Sequence, residues 1–560
     1  MFFRYDYLYL EVGVIELKKS SFIEGTIIAT LAIIITKIMG MLYVIPFYSM
    51  VGEKGSALYA YGYNIYVIFL DISSAGLPLA LSKIIKEYNT LKMMDAKKRA
   101  YHIGIKMVLF LSVLIFLFLI LFANPLAQLI IGDLDGGNSV SDVAFVIRCV
   151  SLAILVVPLL SVAKGYLQGH NIINVSSVSQ IIEQVFRIIV ILGGSFLAIH
   201  LFHFSLKNTI GLAITGAFVG GFIATLYVLI KMQKAKKELG LTQIKTKDAI
   251  TNKEIGKKII RYAMPFIIIN IIFSINNFMD MVMILRTLEH LGIDASTVEF
   301  ATSAITTWST KISMIVNSIA TGMITSLIPT IVGAYTLKNY KEVENKFNKA
   351  LQIILITCIP MCLGLSLLSK SVWRVFYGQN QMGSLIFSVQ ILVSLFYNLF
   401  LITNSTLHGL NKSKTVYESV GIGLTTNMVL NIPLMLLFYK LNWPPYLGAI
   451  LSTAIGYILA FTLSLKKLNK EHQLSYKETY KTAKKILIPT GCMILSVLLL
   501  KKILPLNLNS RLYSIGYILI ISLLGGGIYL FVSYKMGLLK SIFGEALLNK
   551  ITKKLTRKGK

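Results

Sequence analysis

Long apolar segments recur along the whole chain, separated by short connections rich in lysine and arginine. A bilayer core about 30 Å thick asks for about 20 apolar residues per spanning helix. Stretches of that kind fall at 25–46, 56–83, 103–123, 143–167, 176–200, 210–230, 258–285, 301–330, 350–369, 385–408, 417–439, 446–465, 485–504 and 513–532. A segment in hydrocarbon must satisfy its own backbone N–H and C=O groups, so the pattern predicts an all-α polytopic membrane protein with fourteen transmembrane helices. Hydrophobic residues make up 55% of the chain and charged residues 14%, whereas a soluble surface wants about 25–35% charge.

Threading these segments back and forth collects most of the 55 Lys and Arg on one side, in connections 1–24, 84–102, 168–175, 231–257, 331–349, 409–416 and 466–484 and in the C-terminal tail. The positive-inside rule therefore predicts a multi-pass protein with both termini in the cytoplasm. The net charge of +30 needs no nucleic acid to explain it, because basic residues flanking apolar spans are drawn to anionic lipid headgroups. The first residues carry Arg4, Asp6 and Glu11 and make a poor signal peptide. Phe2, Phe3, Tyr5 and Tyr7 suit a short interfacial helix instead. Four cysteines do not make an extracellular disulfide framework, and Cys358 and Cys362, spaced i,i+4, read as small buried side chains.

The charged connection 231–257 divides the chain into an N-terminal lobe (25–230) and a C-terminal lobe (258–465). A cytoplasmic loop (466–484), an appended helix pair (485–532) and a basic tail (533–560) follow. Six helices per lobe make each enter the membrane the same way, which predicts pseudo-symmetry about an axis along the membrane normal. Two short matches support the repeat: Gly165-Tyr-Leu-Gln-Gly-His-Asn171 with Ser405-Thr-Leu-His-Gly-Leu-Asn411, and Gly76-Leu-Pro78 with Leu327-Ile-Pro329. In the second span Ser73, Ser74, Ala75 and Gly76 precede Pro78, a bend that serves equally as a static kink or as a hinge at Gly76 and Pro78.

Charges near mid-depth are costly against lipid and face a bundle interior or a watery cavity. Lys37 and Lys311 both reach mid-depth when counted from opposite sides, so they are candidates to present positive charge to one anionic ligand. The alternative is snorkelling along their aliphatic stems to an interface. Asp71 is expected to pair with Lys37, or else to bind a cation or proton. Asp280, near the outer end of the seventh span beside Asn276 and Asn277, is a lesser candidate for an ion. Glu183 and Arg187, i,i+4 in the favourable order, are expected to neutralise each other within their own helix. No Gly-rich phosphate loop, zinc-type His pair or Ser-His-acid set is present, so neither a catalytic residue nor a metal ligand is assigned.

One region is more specific. Ile35-Thr-Lys37-Ile-Met-Gly40, Ile45-Pro46, Val51-Gly52, Tyr63-Asn64-Ile-Tyr66, Ser73-Ser-Ala-Gly-Leu-Pro78 with Ser82-Lys83, and Ile182-Glu-Gln-Val-Phe-Arg187 resemble the MurJ and SpoVB-like lipid II flippase branch of the multidrug/oligosaccharidyl-lipid/polysaccharide (MOP) exporter superfamily. The resemblance implies two six-helix lobes forming a V around a central cavity, with two appended helices shaping a groove for a lipid tail. It implies an undecaprenyl-diphosphate-linked glycan as substrate, lipid II first and another polysaccharide or teichoic-acid precursor as the alternative. A multidrug exporter and a non-transporting scaffold rank lower. Lys37 and Lys311 would meet the diphosphate, and Asp71, Ser73 and Ser74 the sugar or peptide. No cofactor is implied, and the drive would be the membrane potential or a coupled proton or cation. The setting would be a bacterial plasma membrane, with a monomer working beside cell-wall synthesis proteins. The chain departs from the branch at Tyr43 and Ser73, where arginines are expected, and at Thr310, where an acid is expected.

Overall fold

The structure is a computed structural model describing residues 22–74, 76–132, 134, 136–242, 248–410, 412–472, 474–504 and 510–543. The interfacial helix expected before residue 22 and the tail beyond Phe543 lie outside the described residues. So do Asn411 and the side chains of Leu327-Ile-Pro329.

Among the described residues every regular element is helical. In chain order the long helices are α1 (Phe22–Leu42), α2 (Val44–Thr90), α3 (Met94–Leu121), α4 (Val140–Gly169), α5 (Ile173–His200), α6 (Leu206–Lys234) and α7 (Asn252–His290). Ala295–Ser303, the π-helical turn Ala304–Trp308 and Ser309–Thr336 follow one another without a break and form α8. Then come α9 (Tyr340–Leu367), α10 (Gln381–Gly409), α11 (Ser413–Lys440), α12 (Tyr446–His472), α13 (Lys477–Ile503) and α14 (Arg511–Lys535). Twelve helices among the described residues are long and apolar enough to cross a membrane, and they match every expected span except the first and eighth. Fourteen spans thus require α1 and α8 as well.

Local breaks fall where the residues demand them. Gly52 has a left-handed φ of 66° inside α2, at the connection expected between the first two spans. Gly76, with φ of 76°, separates Ser74 from Leu77, and Pro78 sits in the first turn beyond it, where its missing N–H costs nothing. α4 and α10 end at Gly169 and Gly409, the paired glycines of the internal repeat. Gly165 and Gly169 let α4 approach α2 closely: a Cβ at Gly165 would lie 2.7 Å from the Pro78 backbone, and one at Gly169 would lie 2.9 Å from the Ser82 carbonyl.

α4 packs on α2, α3 and α6, and α5 on α1 and α6; in the second lobe α10 packs on α8, α9 and α12, and α11 on α12. The appended α13 lies on α9 and α14. α7 bridges the lobes, touching α2 and α3 on one side and α11 on the other.

The described parts of the connection 231–257 are pinned to the start of α3 and the end of α4. Asp248 Oδ2 accepts from the Ala96 N–H at 2.7 Å, Lys98 donates to the Thr242 carbonyl at 3.1 Å, and the Tyr166 hydroxyl donates to the Leu239 carbonyl at 2.7 Å. We call this the linker end of the bundle.

At the far end the lobes are joined by side-chain bonds. Glu299 Oε1 accepts from the Asn138 N–H at 2.8 Å and from Asn138 Nδ2 at 2.9 Å, and Asn138 Nδ2 also reaches the Lys54 carbonyl at 3.1 Å. Arg286 donates to the Gln128 carbonyl at 2.6 Å, and Asn380 to Glu53 Oε1 at 2.9 Å. Burial pushes the Glu299 carboxyl above its ordinary value of 4.5, with the Asn138 donors and Lys54 opposing the shift. A raised value makes this group's contribution to stability largest in acid and smallest once it has ionised. Asn138→Ala removes the side-chain amide donor, leaving the backbone N–H in place, and raises the value further. We therefore expect a loss of about 1–3 kcal/mol at neutral pH that shrinks as the pH falls toward 5. Thermal unfolding at the two pH values checks this, and an equal or larger loss in acid contradicts it.

Candidate functional site

Between the lobes lies a cavity of about 270 Å³. Its wall is built from stripes at helical spacing: Thr36, Lys37, Gly40 and Tyr43 on and just after α1, Tyr59 and Tyr63 on α2, Gln180, Glu183, Gln184 and Arg187 on α5, and Lys311 and Met314 on α8. Lys164 of α4 completes it. Residues three or four apart on a helix share a face, so each helix turns one polar stripe inward and leaves the others to lipid or packing. Gly40 permits α1 to lie close to α5, since a Cβ there would stand 3.3 Å from Gln184 Nε2.

Four cations and one carboxylate meet here. Glu183 Oε1 accepts from Arg187 Nη2 at 2.8 Å, and Oε2 lies 3.4 Å from Lys164 Nζ. Among the described residues the buried Arg187 Nε has no hydrogen-bond partner. Among the described residues neither Lys37 nor Lys311 pairs with a carboxylate. The Lys311 ammonium lies instead over aromatic faces, 4.6 Å from the Tyr63 ring centre and 5.8 Å from that of Tyr43.

Toward the far end the cavity is roofed by aromatic rings. Tyr48 meets Trp308 edge-on at 5.9 Å and Tyr377 at 5.0 Å, while Tyr59 lies along Trp308 at 6.2 Å. Asn64 of α2 donates to Thr307 Oγ1 at 3.3 Å, tying the first lobe to the π turn of α8. A second π turn, Val190–Gly194, follows Arg187 on α5. Such turns insert a residue into the helical repeat and frequently occur at functional positions.

The structure brings together Lys37 and Lys311, as the sequence led us to expect. It also draws in Glu183 and Arg187, expected to neutralise each other as a possible network, and Lys164, which was not expected from the sequence. The signal for Glu183 and Arg187 was the polar stripe 180-183-184-187 in an otherwise apolar span. Asp71 does not pair with Lys37; it accepts a hydrogen bond from Ser274 of α7. Ser73 and Ser74 return their hydroxyls to the Leu70 carbonyl, at 3.0 and 2.7 Å, and neither they nor Asp71 line the cavity. The cause is local: a serine beside a helix break satisfies itself on the carbonyl three or four residues back.

Asp280 is buried. Its Oδ1 accepts from Asn427 at 2.8 Å and Asn431 at 3.0 Å, and its Oδ2 from Asn276 at 3.4 Å. Ser452 donates to Asn427 Oδ1 at 2.7 Å, and Asn431 Oδ1 has no hydrogen-bond partner among the described residues. This carboxylate is surrounded by amides, with no cation paired to it among the described residues.

A third feature is apolar. Between α9, α13 and α14 runs a groove of about 430 Å³, bordered by Pro360, Gly364, Met493, Val497, Gly525 and Tyr529. Cys358 and Cys362 are buried and free in the neighbouring packing, as expected from their spacing.

The model of the family described as "Polysaccharide biosynthesis protein" matches residues 22–334. The lipid II flippase MurJ of Bacillus subtilis (strain 168) is 31% identical over 538 residues, which cover 94% of this chain and 98% of that protein. Stage V sporulation protein B of the same organism is 23% identical over 373 residues, covering 65% and 68%. Among solved structures, an inward-facing MATE-family multidrug transporter of the MOP superfamily superposes with a TM-score of 0.61 at 16% identity, covering 80% of this chain and 96% of that one. A lipid II flippase MurJ in an inward closed conformation gives 0.58 at 18% identity, covering 90% and 98%. The chain is thus a multi-pass membrane protein with an exporter fold, and it belongs to the polysaccharide biosynthesis protein family, in the MurJ and SpoVB-like branch of the MOP exporter superfamily.

Proposed function

We propose that this protein moves an undecaprenyl-diphosphate-linked peptidoglycan precursor, lipid II, from the inner to the outer leaflet of a bacterial plasma membrane by alternating access. The observation that carries this reading is the convergence of Lys37, Lys164, Arg187 and Lys311 on one cavity with a single carboxylate among them. Such a wall suits a diphosphate and repels the organic cations that many multidrug exporters carry. The apolar groove beside α13 and α14 would take the prenyl tail. With both termini in the cytoplasm, the linker end faces inward, and the far-end bonds of Asn138, Glu299 and Arg286 must part for the headgroup to leave. Gly76 and Pro78 are a candidate hinge for that movement.

No covalent chemistry is needed, and the cell-wall enzymes that make and use the precursor are the expected working partners of a monomer. Carrying a doubly negative diphosphate out of an inside-negative cell releases about 4.6 kcal/mol per 100 mV if the charge moves uncompensated. A cation or proton at Asp280 would alter that figure, and its amide shell makes it the seat we assign to a coupling ion. The test is reconstitution in sealed vesicles with lipid II, reading its appearance on the outer face. Lipid II should cross, and more slowly once the potential is dissipated. Transport that ignores the potential removes the electrical part of the proposal. Preferential transport of a teichoic-acid or other polysaccharide precursor in competition reassigns the substrate.

A further inference from the structure

Two ways of holding a cation occur in the same cavity. Arg187 and Lys164 share Glu183, so part of their charge is cancelled and their carboxylate must be displaced before an anion can take its place. Lys311 has the rings of Tyr63 and Tyr43 against it and, among the described residues, no carboxylate. An ammonium withdrawn from water needs compensation, and an aromatic face supplies some through its quadrupole while leaving the net charge intact.

We infer that Tyr63, with Tyr43 beside it, is a positioning residue that keeps the Lys311 ammonium fixed and un-neutralised in the cavity wall, ready to meet a diphosphate. The inference rests on the proposed function and adds to it a residue that touches Lys311 and acts through it.

The surroundings hold the ring in place. Tyr63 lies nearly parallel to Tyr59, with ring centres 6.2 Å apart and planes at 11°, and has Tyr66 on another side at 6.3 Å. The next residue, Asn64, is buried and bonded to Thr307 and Thr306 in the π turn immediately before Lys311. That bond sets the register between α2 and α8, so ring and ammonium are presented to each other by two rigid helices. Among the described residues no carboxylate reaches the ammonium, so a phosphate oxygen can accept from it.

The experiment uses the full chain in nanodiscs, with undecaprenyl diphosphate as the probe and two readouts. The first is binding affinity; the second is modification of Lys311 by an amine-reactive reagent, mapped by peptide mass spectrometry without any transport assay. Tyr63→Leu removes the ring and should weaken binding about five-fold or more, within the range a desolvated cation–π contact supports, and should increase Lys311 modification. Tyr63→Phe retains the ring face and should restore affinity to within about two-fold of the parent. Tyr63→Met is read in the same way if the leucine variant does not fold. Unchanged affinity and modification in the ringless variants, with Lys311→Ala still losing binding, overturn the positioning role and leave the proposed function standing. Tyr63→Phe behaving like Tyr63→Leu overturns the ring-face account in favour of the hydroxyl. If Lys311→Ala itself binds undecaprenyl diphosphate like the parent, the anionic-cavity reading falls.

Discussion

Alanine at Lys37 or at Lys311 is expected to reduce lipid II translocation about ten-fold or more while the protein still inserts and folds. Hydrogen bonds to charged groups contribute about 1.5–3 kcal/mol each, and a diphosphate crossing a low-dielectric cavity has no water to replace the lost donor. Among the described residues neither lysine is paired to a carboxylate, so its removal strands no buried counter-charge there and stability should change little. Glu183→Ala behaves differently, because it leaves Arg187 and Lys164 facing each other across a gap that the carboxylate had filled. It should therefore lower abundance or thermal stability as well as transport. The measurement is outer-leaflet accessibility of lipid II per folded transporter. Parent-like rates in both lysine variants would show that the cavity does not hold the diphosphate.

Leucine at Gly220 is expected to be the most damaging change of a single small side chain near the site. Gly216 and Gly220 stand i,i+4 on α6, where small residues let two membrane helices approach. A Cβ at Gly220 would lie 2.3 Å from the Glu183 carbonyl oxygen and 3.1 Å from the Arg187 backbone nitrogen, atoms that cannot rotate away. The larger side chain must push α5 outward, carrying the Glu183–Arg187 stripe out of the cavity wall. Overpacking typically costs about 1–3 kcal/mol, and a backbone collision belongs at the upper end or beyond. We expect a clear fall in thermal stability and lost translocation in the molecules that remain folded. Gly516→Leu on α14, where a Cβ meets nothing within 4 Å, is the matched control. Equal behaviour of the two variants would refute the close α5–α6 approach as the device that positions the pair.

The sequence made the helical architecture legible because a spanning segment must close its own hydrogen bonds, leaving long apolar runs visible without any tertiary information. The same reasoning found Lys37 and Lys311, since a charge at mid-depth stands out against an apolar background. It did not reach Lys164, which lies near the end of its span, where a basic residue does not stand out. It failed at Asp71 and the two serines because their depth suited a cavity, while their actual partners, Ser274 and the Leu70 carbonyl, are set by helix packing and by the break at Gly76. The partners of Asp280 were hidden for a related reason: Asn276 is its neighbour one helical turn away, but Asn427 and Asn431 lie 147 and 151 positions on.

What the sequence determined by itself was therefore the class of molecule: an all-helical, multi-pass chain with basic side chains set deep inside apolar spans. Each of these follows from the energetics of one helix against lipid, which depends only on the residues in that helix. What the tertiary structure alone decided was the company each charge keeps. The sharing of Glu183 by two cations, the aromatic seat of Lys311 and the amide shell of Asp280 each join groups from different helices or different turns, and their separation in space depends on how whole helices pack. A linear pattern carries helix periodicity but not the distance between helices, and the chemistry of this cavity is set by that distance.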